Sequence, residues 1–301
     1  MPPSAEAGFD TKRSSHSRAT EFHPLKATAE RATTARNWLT VEFGEPDGDG
    51  WLRCSDVDAT VIASWEACVA DRHREWYGRD DPMTSSGYVL SWYADVAPTA
   101  GALSFLLDRR VPNLDRDALA FHRYAEVEYP DAIALLDSTF WCLPDDPAAD
   151  HADATVVSDQ QALAAILRAQ VRRHADDFLA TYRPGARLPR RNLLGAFFDS
   201  LDGGFWISDS AGVPQQDYVA SARLALPGAT EEFVDGTRFY SVVDDSGREH
   251  LTRRRVSCCY YFKVAEDGSA CTTCPRTSDT ERAKRLCEHA DRAAAEASAG
   301  S

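Results

Sequence analysis

The sequence predicts an α+β fold: a mainly helical body followed by a small C-terminal β-hairpin and cysteine module. Three observations carry this. Up to about Leu226, apolar residues recur mostly at helical spacing. From Arg238 the pattern becomes that of a hairpin, with Asp244-Asp245-Ser246-Gly247 as its turn. Four of the eight cysteines then fall within the 18 residues from Cys258 to Pro275.

The helical elements follow in order. Residues 24 to 39 form a first helix with Leu25, Ala29, Ala32 and Leu39 on one side. Glu45 to Gly50 is a turn-rich break that lacks the ligand spacing of a calcium loop. A strong helix from Ser55 to Gly78 places Cys68 among its apolar residues, which makes that thiol a core group. Asp81-Pro82 opens the next helix, and Pro98 is expected to kink or end it. Asp117 to Tyr129 has weak periodicity, and Pro130-Asp131 starts a short helix through Ile133, Leu135 and Leu136. Phe140 to Leu143 is its tail or a short strand. Asp145-Asp146, between two prolines in a polar stretch, reads as loop solvation rather than an acid/base pair.

Ser158 to Leu179 is the clearest helix, with Ser158 and Gln161 as a capping box and His174 on its buried stripe as a core residue. Helices over 192–201 and 214–226 follow, the first with Phe197-Phe198 inward. Beyond the hairpin, Tyr260 to Val264 reads as an extended run. A thinly anchored tail helix, with Leu286 and Cys287, starts at a second capping box, Ser278 with Glu281. The chain thus divides into a disordered leader (1–22), a mainly helical domain (23–235), the hairpin and cysteine module (236–277), and a C-terminal helix and tail (278–301). There is no internal repeat and no glycine-rich phosphate loop.

Composition narrows the function. With 44% apolar and 27% charged residues among 301, the chain reads as a globular protein. Its 47 acidic and 33 basic residues leave a net charge of −14, which argues against a nucleic-acid surface and for cationic or neutral partners. Met1 to Thr20 has no apolar run long enough for a secretory signal and reads as a disordered leader. The most apolar stretch, between Asp95 and Asp108, falls short of the roughly 20 residues that span a bilayer. The cysteines are therefore expected to be reduced, and a reduced cluster of them binds metal or does redox work.

Soft sulfur donors select zinc, Cu(I) or an iron–sulfur cluster. Cys271-x2-Cys274 suits a zinc knuckle, but adjacent Cys258 and Cys259 in an extended segment point to opposite sides. Two such sulfurs on one ion demand a special backbone, whereas a [2Fe–2S] cluster offers two irons and favours this spacing. Zinc in an interaction module stays as the alternative. Arg253, Arg254, Arg255, Lys263 and Arg276 flank the site and would stabilise the more negative, reduced form of a cluster; equally, they read as a solvated strand. Trp92, Tyr93, Trp141, Phe197 and Trp206 are aromatic enough to line a ligand face, though aromatics at this spacing are usually core.

Cys258-Cys259, eleven residues, then Cys271-x2-Cys274-Pro275, after an arginine run at the end of a helical chain, resembles the FhuF-type ferric siderophore reductases. Arg109-Arg110-Val111-Pro112, Leu143-Pro144-Asp145-Asp146 and the Leu193 to Leu201 helix resemble further stretches of that family. The resemblance implies a [2Fe–2S] cluster on Cys258, Cys259, Cys271 and Cys274. It also implies one-electron reduction of iron(III) in hydroxamate siderophores. An external donor, such as a ferredoxin or flavoprotein reductase, would supply the electron to a cytoplasmic protein, free or peripheral to the inner face of the membrane. The family spacer is about ten residues; here the additional one falls in the Ala265 to Ala270 turn with Gly268. A non-enzymatic electron carrier or redox sensor is the other reading of such a cluster.

Overall fold

The computed structural model describes residues 23–124, 126–207 and 211–299, so the expected leader over 1–22 lies outside the described residues. Among them are seven helices: α1 (Pro24–Ala35), α2 (Ala59–Tyr77), α3 (Pro82–Asp108), α4 (Gln160–Thr181), α5 (Arg190–Gly204), α6 (Gln215–Ala225) and α7 (Asp279–Ala299). The strands are β1 (Thr40–Phe43), β2 (Trp51–Arg53), β3 (Arg110–Pro112), β4 (Leu119–Arg123), β5 (Pro130–Leu135), β6 (Phe140–Cys142) and β7 (Ala154–Val156), with the hairpin β8 (Phe239–Val243) and β9 (Glu249–Arg253). The fold is α+β, with the strand pair before the cysteines as expected.

Helix α3 is the axis. Asp81 caps it by accepting from the N–H of Met83 and Thr84. It then runs through Pro98 to Asp108 without ending there, contrary to the expected break. The environment offsets the lost backbone bond: α3 is buried nearly all round from Val89 to Phe105, and α5 packs closely across the proline. A Cβ on Gly204 would stand 2.7 Å from that of Ala102 and 3.3 Å from the Pro98 carbonyl oxygen, so only glycine permits this approach. Around the axis, Tyr93 stacks on Phe178 at 3.8 Å, with Phe121 and Phe197 edge-on. His174 is a buried, satisfied core residue as expected. Its Nδ1 lies 2.7 Å from the Leu114 carbonyl and its Nε2 3.0 Å from the Tyr93 hydroxyl, while burial pushes its pKa down to about 4.

Several local expectations give way. Pro130–Leu135 is a strand, not a helix, pairing parallel to β1 and antiparallel to β4 in a sheet of order β1-β5-β4-β2. Ile133, Ala134 and Leu135 are all buried, and a short apolar run buried on both faces has no period with which to declare itself. The weakly periodic stretch before it supplies β4. Phe140–Cys142 is the central strand of a second sheet, β3-β6-β7. Cys68 is half-buried, whereas Cys54 and Cys142 are fully buried. Helix α4 is capped by Asp159, which accepts from the Ala162 N–H, rather than by Ser158.

Of the paired aspartates, exposed Asp145 fits loop solvation and Asp146 does not. Asp146 is buried and takes a bidentate pair from Arg110, Nε at 2.8 Å and Nη2 at 2.7 Å; Asp145 meets Arg109 at 3.0 Å. The Arg109-Arg110-Val111-Pro112 and Leu143-Pro144-Asp145-Asp146 stretches are thus the two sides of one contact.

Candidate metal centre

The hairpin β8–β9 delivers the chain to the cysteines, and the helical body receives it through buried polar contacts. Asp199 on α5 accepts from the N–H of Val256 and of Ser257, each at 2.8 Å, and from the Ser257 hydroxyl at 2.5 Å. Burial pushes its carboxyl upward, against the pull of Arg253 and these donors. Asp202 holds Thr237 (2.5 Å) at the start of the hairpin. Asn192 donates to the Cys258 carbonyl at 3.0 Å, and Thr84 on α3 to that of Tyr260 at 3.0 Å. Gly87, one turn along α3, leaves room for the cysteine pair: a Cβ there would stand 2.9 Å from the Cys259 carbonyl oxygen.

Tyr260 to Val264 is not extended. Tyr260 adopts a left-handed conformation (φ 62°), and Tyr261–Lys263 makes a 3-10 turn. This bend after the cysteine pair turns the chain back toward Cys271. There the second half of the site is held by α7, whose anchor is polar rather than Leu286. Arg282, fully buried, donates to the carbonyls of Thr272 (2.8 Å), Cys274 (2.9 Å) and Thr277 (3.1 Å); Arg285 reaches that of Ala270. The Ser278 cap is as expected, accepting from the Glu281 N–H at 3.2 Å.

The eight cysteines are free thiols, and four of them converge. Cys258 Sγ lies 3.8 Å from Cys274 Sγ, and the Tyr260 N–H points to Cys258 Sγ at 3.4 Å. Cys259 and Cys271 share the guanidinium of Arg255, whose Nη2 is 3.5 Å from the first sulfur and 2.8 Å from the second. The neighbouring cysteines therefore turn to different partners, as alternation along the chain requires. The contact with Cys274 draws the Cys258 thiol down to about 7, while contact with Cys271 and burial push Cys259 up. Burial opposes the charge on Arg255, but the Cys259 and Cys271 sulfurs more than offset it and hold the group protonated.

Cys274 also contacts Cys271, so the sulfurs form an open run from Cys258 through Cys274 and Cys271 to Cys259, not a tetrahedron. Four thiolates on one zinc stand about 3.8 Å from each other on every edge, given a zinc–sulfur bond of about 2.3 Å. Among the described residues no three of the cysteine sulfurs lie within 4.8 Å of one another, so the donor set suits two metals side by side. Arg255 Nε is also buried without a partner, in a guanidinium whose other end already faces sulfur; further acceptors beside the thiolates would satisfy it. The group that does meet the 4.8 Å limit is His23, His151 and Asp153. There Nδ1 of each histidine accepts a backbone N–H, from Leu25 and from Asp153, and His23 Nε2 lies 3.3 Å from Asp153, contacts that pin the start of α1.

Of the flanking cations, Arg255 alone has a sulfur contact among the described residues. Arg254 pairs with Asp279 at 2.6 Å, Lys263 with Asp81 at 2.9 Å, and Arg276 lies over Phe262 at 4.5 Å. Cys287 stands apart, bonded to Arg248 Nη2 at 2.8 Å. Of the candidate aromatics, Tyr93 and Phe197 are core, while Trp92 lines a cavity of about 390 Å³ that Cys259 and Cys271 also border. Asp199, Asn192, Thr84 and Arg282 escaped sequence reasoning, because a polar residue in a helix carries no mark of which distant carbonyl or N–H it will meet.

Four cysteine sulfurs gathered with a cation against them form a candidate thiolate metal centre. Residues 255–276 match the family model of the FhuF 2Fe-2S C-terminal domain, and the module binds a [2Fe–2S] cluster. Comparison with curated proteins gives no match. No helix among the described residues is long and apolar enough to cross a membrane.

Proposed function

We propose that the protein is a ferric siderophore reductase in which Cys258, Cys259, Cys271 and Cys274 would hold the cluster. The convergence of these four sulfurs on one another and on Arg255 is the observation that carries the reading. When bound, the cluster supplies electrons singly, which converts chelated iron(III) to iron(II); hydroxamate oxygens hold the first strongly and the second weakly, so reduction releases the metal. The chain's own task is to hold and tune the donor. Arg255 places positive charge and an N–H on the sulfurs, favouring the more negative reduced form. Asp199 and Asn192 fix the segment that carries Cys258 and Cys259, and Arg282 the one that carries Cys271 and Cys274, which limits rearrangement as charge changes. Residues 236–277 act as the electron-transfer unit on the 23–235 body. A ferredoxin or flavoprotein restores the electron, and free thiols suit a reducing, cytoplasmic setting.

Anaerobic spectroscopy with metal analysis tests the ligand set. Serine at Cys258, Cys259, Cys271 or Cys274 abolishes the two-iron spectrum, and Cys287→Ser keeps it. Reduced protein mixed with a ferric hydroxamate and an iron(II) trap tests the activity. Iron(II) appearing no faster than with the Cys258→Ser protein would leave a non-enzymatic electron carrier.

A further inference from the structure

A cavity of about 670 Å³ lies between α5, the loop 231–238 and the segment leaving the hairpin at Arg254 to Val256, within the usual range of about 300–1,000 Å³ for small-molecule sites. Its apolar lining includes Leu194, Phe198, Phe233 and Val256, and Pro275, which follows Cys274. Its charged lining is six arginines against three carboxylates, in a chain that is acidic as a whole.

Four of these arginines are engaged: Arg172 with Asp176, Arg238 with Asp235, Arg254 with Asp279, and Arg255 with the sulfurs of Cys259 and Cys271. Arg190 and Arg191 are exposed on the first turn of α5 and have no ion-pair partner among the described residues. Pro189 gives that turn no side-chain cap, so the positive end of the helix dipole adds to them. A ligand here would be one side chain from the donor sulfurs, since Arg255 both lines the cavity and lies 2.8 Å from Cys271 Sγ.

We propose that this cavity seats the ferric chelate and that Arg190 and Arg191 make it prefer anionic over cationic complexes. The proposal rests on the reductase reading, and adds a substrate charge to it. The apolar floor takes the chelate's methylene backbone, and the two free guanidinium groups meet a pendant carboxylate while opposing a pendant ammonium.

The test uses the cluster-loaded protein and the redox-inert gallium(III) complexes of desferrioxamine B (net +1), its N-acetyl form (0) and its N-succinyl form (−1). These share one metal centre and differ in a remote group. Titration calorimetry is expected to show the anion binding about tenfold tighter than the cation, the neutral form lying between, with the order collapsing at high ionic strength. The double variant Arg190→Glu/Arg191→Glu, its cluster spectrum unchanged, reverses the order. Equal affinities, a preference for the cation, or an order untouched by the double variant overturn the proposal. So does a double variant that slows reduction by a ferredoxin while leaving the gallium series unaltered, which gives the face to the electron donor. Ferric complexes that oxidise the reduced cluster without charge preference sink this proposal alone; gallium complexes that bind in the expected order while no ferric complex takes an electron sink the reductase reading alone.

Discussion

Asp199 and Ser257 make the contact that ties the cysteine module to the body: one buried carboxylate oxygen accepts both the N–H (2.8 Å) and the hydroxyl (2.5 Å) of the residue preceding the first cysteine. The other oxygen takes the Val256 N–H. Asp199→Ala strands these donors in a buried site, at a cost of about 3 kcal/mol. Chemical denaturation measures that loss, and faster bleaching of the cluster accompanies it. A variant as stable as the parent would show that the contact is incidental.

Gly87 is required for space. Gly87→Val drives its side chain into the Cys259 carbonyl and the Tyr260 ring, so the cysteine pair moves and the protein purifies with much less than two irons per chain. Helical content by circular dichroism is expected to stay near the parent's, because the clash is with the loop at Cys259 and Tyr260 rather than with another helix. A full iron complement in Gly87→Val would mean that the loop yields freely.

Arg255→Gln keeps the cluster ligands and removes the cation beside Cys259 and Cys271. The visible spectrum should persist and the reduction potential fall by roughly 60 mV, the one-electron equivalent of a tenfold change. Potentiometric titration reads this directly, and an unchanged potential would remove Arg255 from the tuning role.

The buried pair of Arg110 and Asp146 sets a pH dependence. Burial pushes the Asp146 carboxyl up, but the hydrogen bonds of Arg110 and of the Ala148 N–H outweigh it and hold the pKa below the ordinary value. A depressed native pKa means that the pair's stabilisation is complete above the unfolded carboxylate value of about 3.9. It is lost as pH falls through the lower native value. Asp146→Asn leaves Arg110 buried without its counter-charge and costs about 3 kcal/mol at pH 7. The gap between parent and variant closes in acid. A gap that stays constant down to pH 2 would show that the carboxylate does not carry it.

Much of this protein is legible residue by residue. The helical stripes of α2, α4 and α5 and the turn of the β8–β9 hairpin announce themselves through local periodicity and turn chemistry. The adjacency of Cys258 and Cys259 already disfavours one ion, since alternation along a chain is a covalent property. What required the folded chain is everything that depends on a partner far away in sequence. Pro130–Leu135 became a strand because β1 and β4 flank it, although its own residues have no distinguishing period. Pro98 stayed within a helix because α5 closes over it. Arg255 was one of five flanking cations until folding set it against two sulfurs, and Asp146 was a loop acid until Arg110 met it. Periodicity records which face of an element is buried; which polar group lies opposite is decided when distant segments pack, and in this protein those encounters build the metal centre.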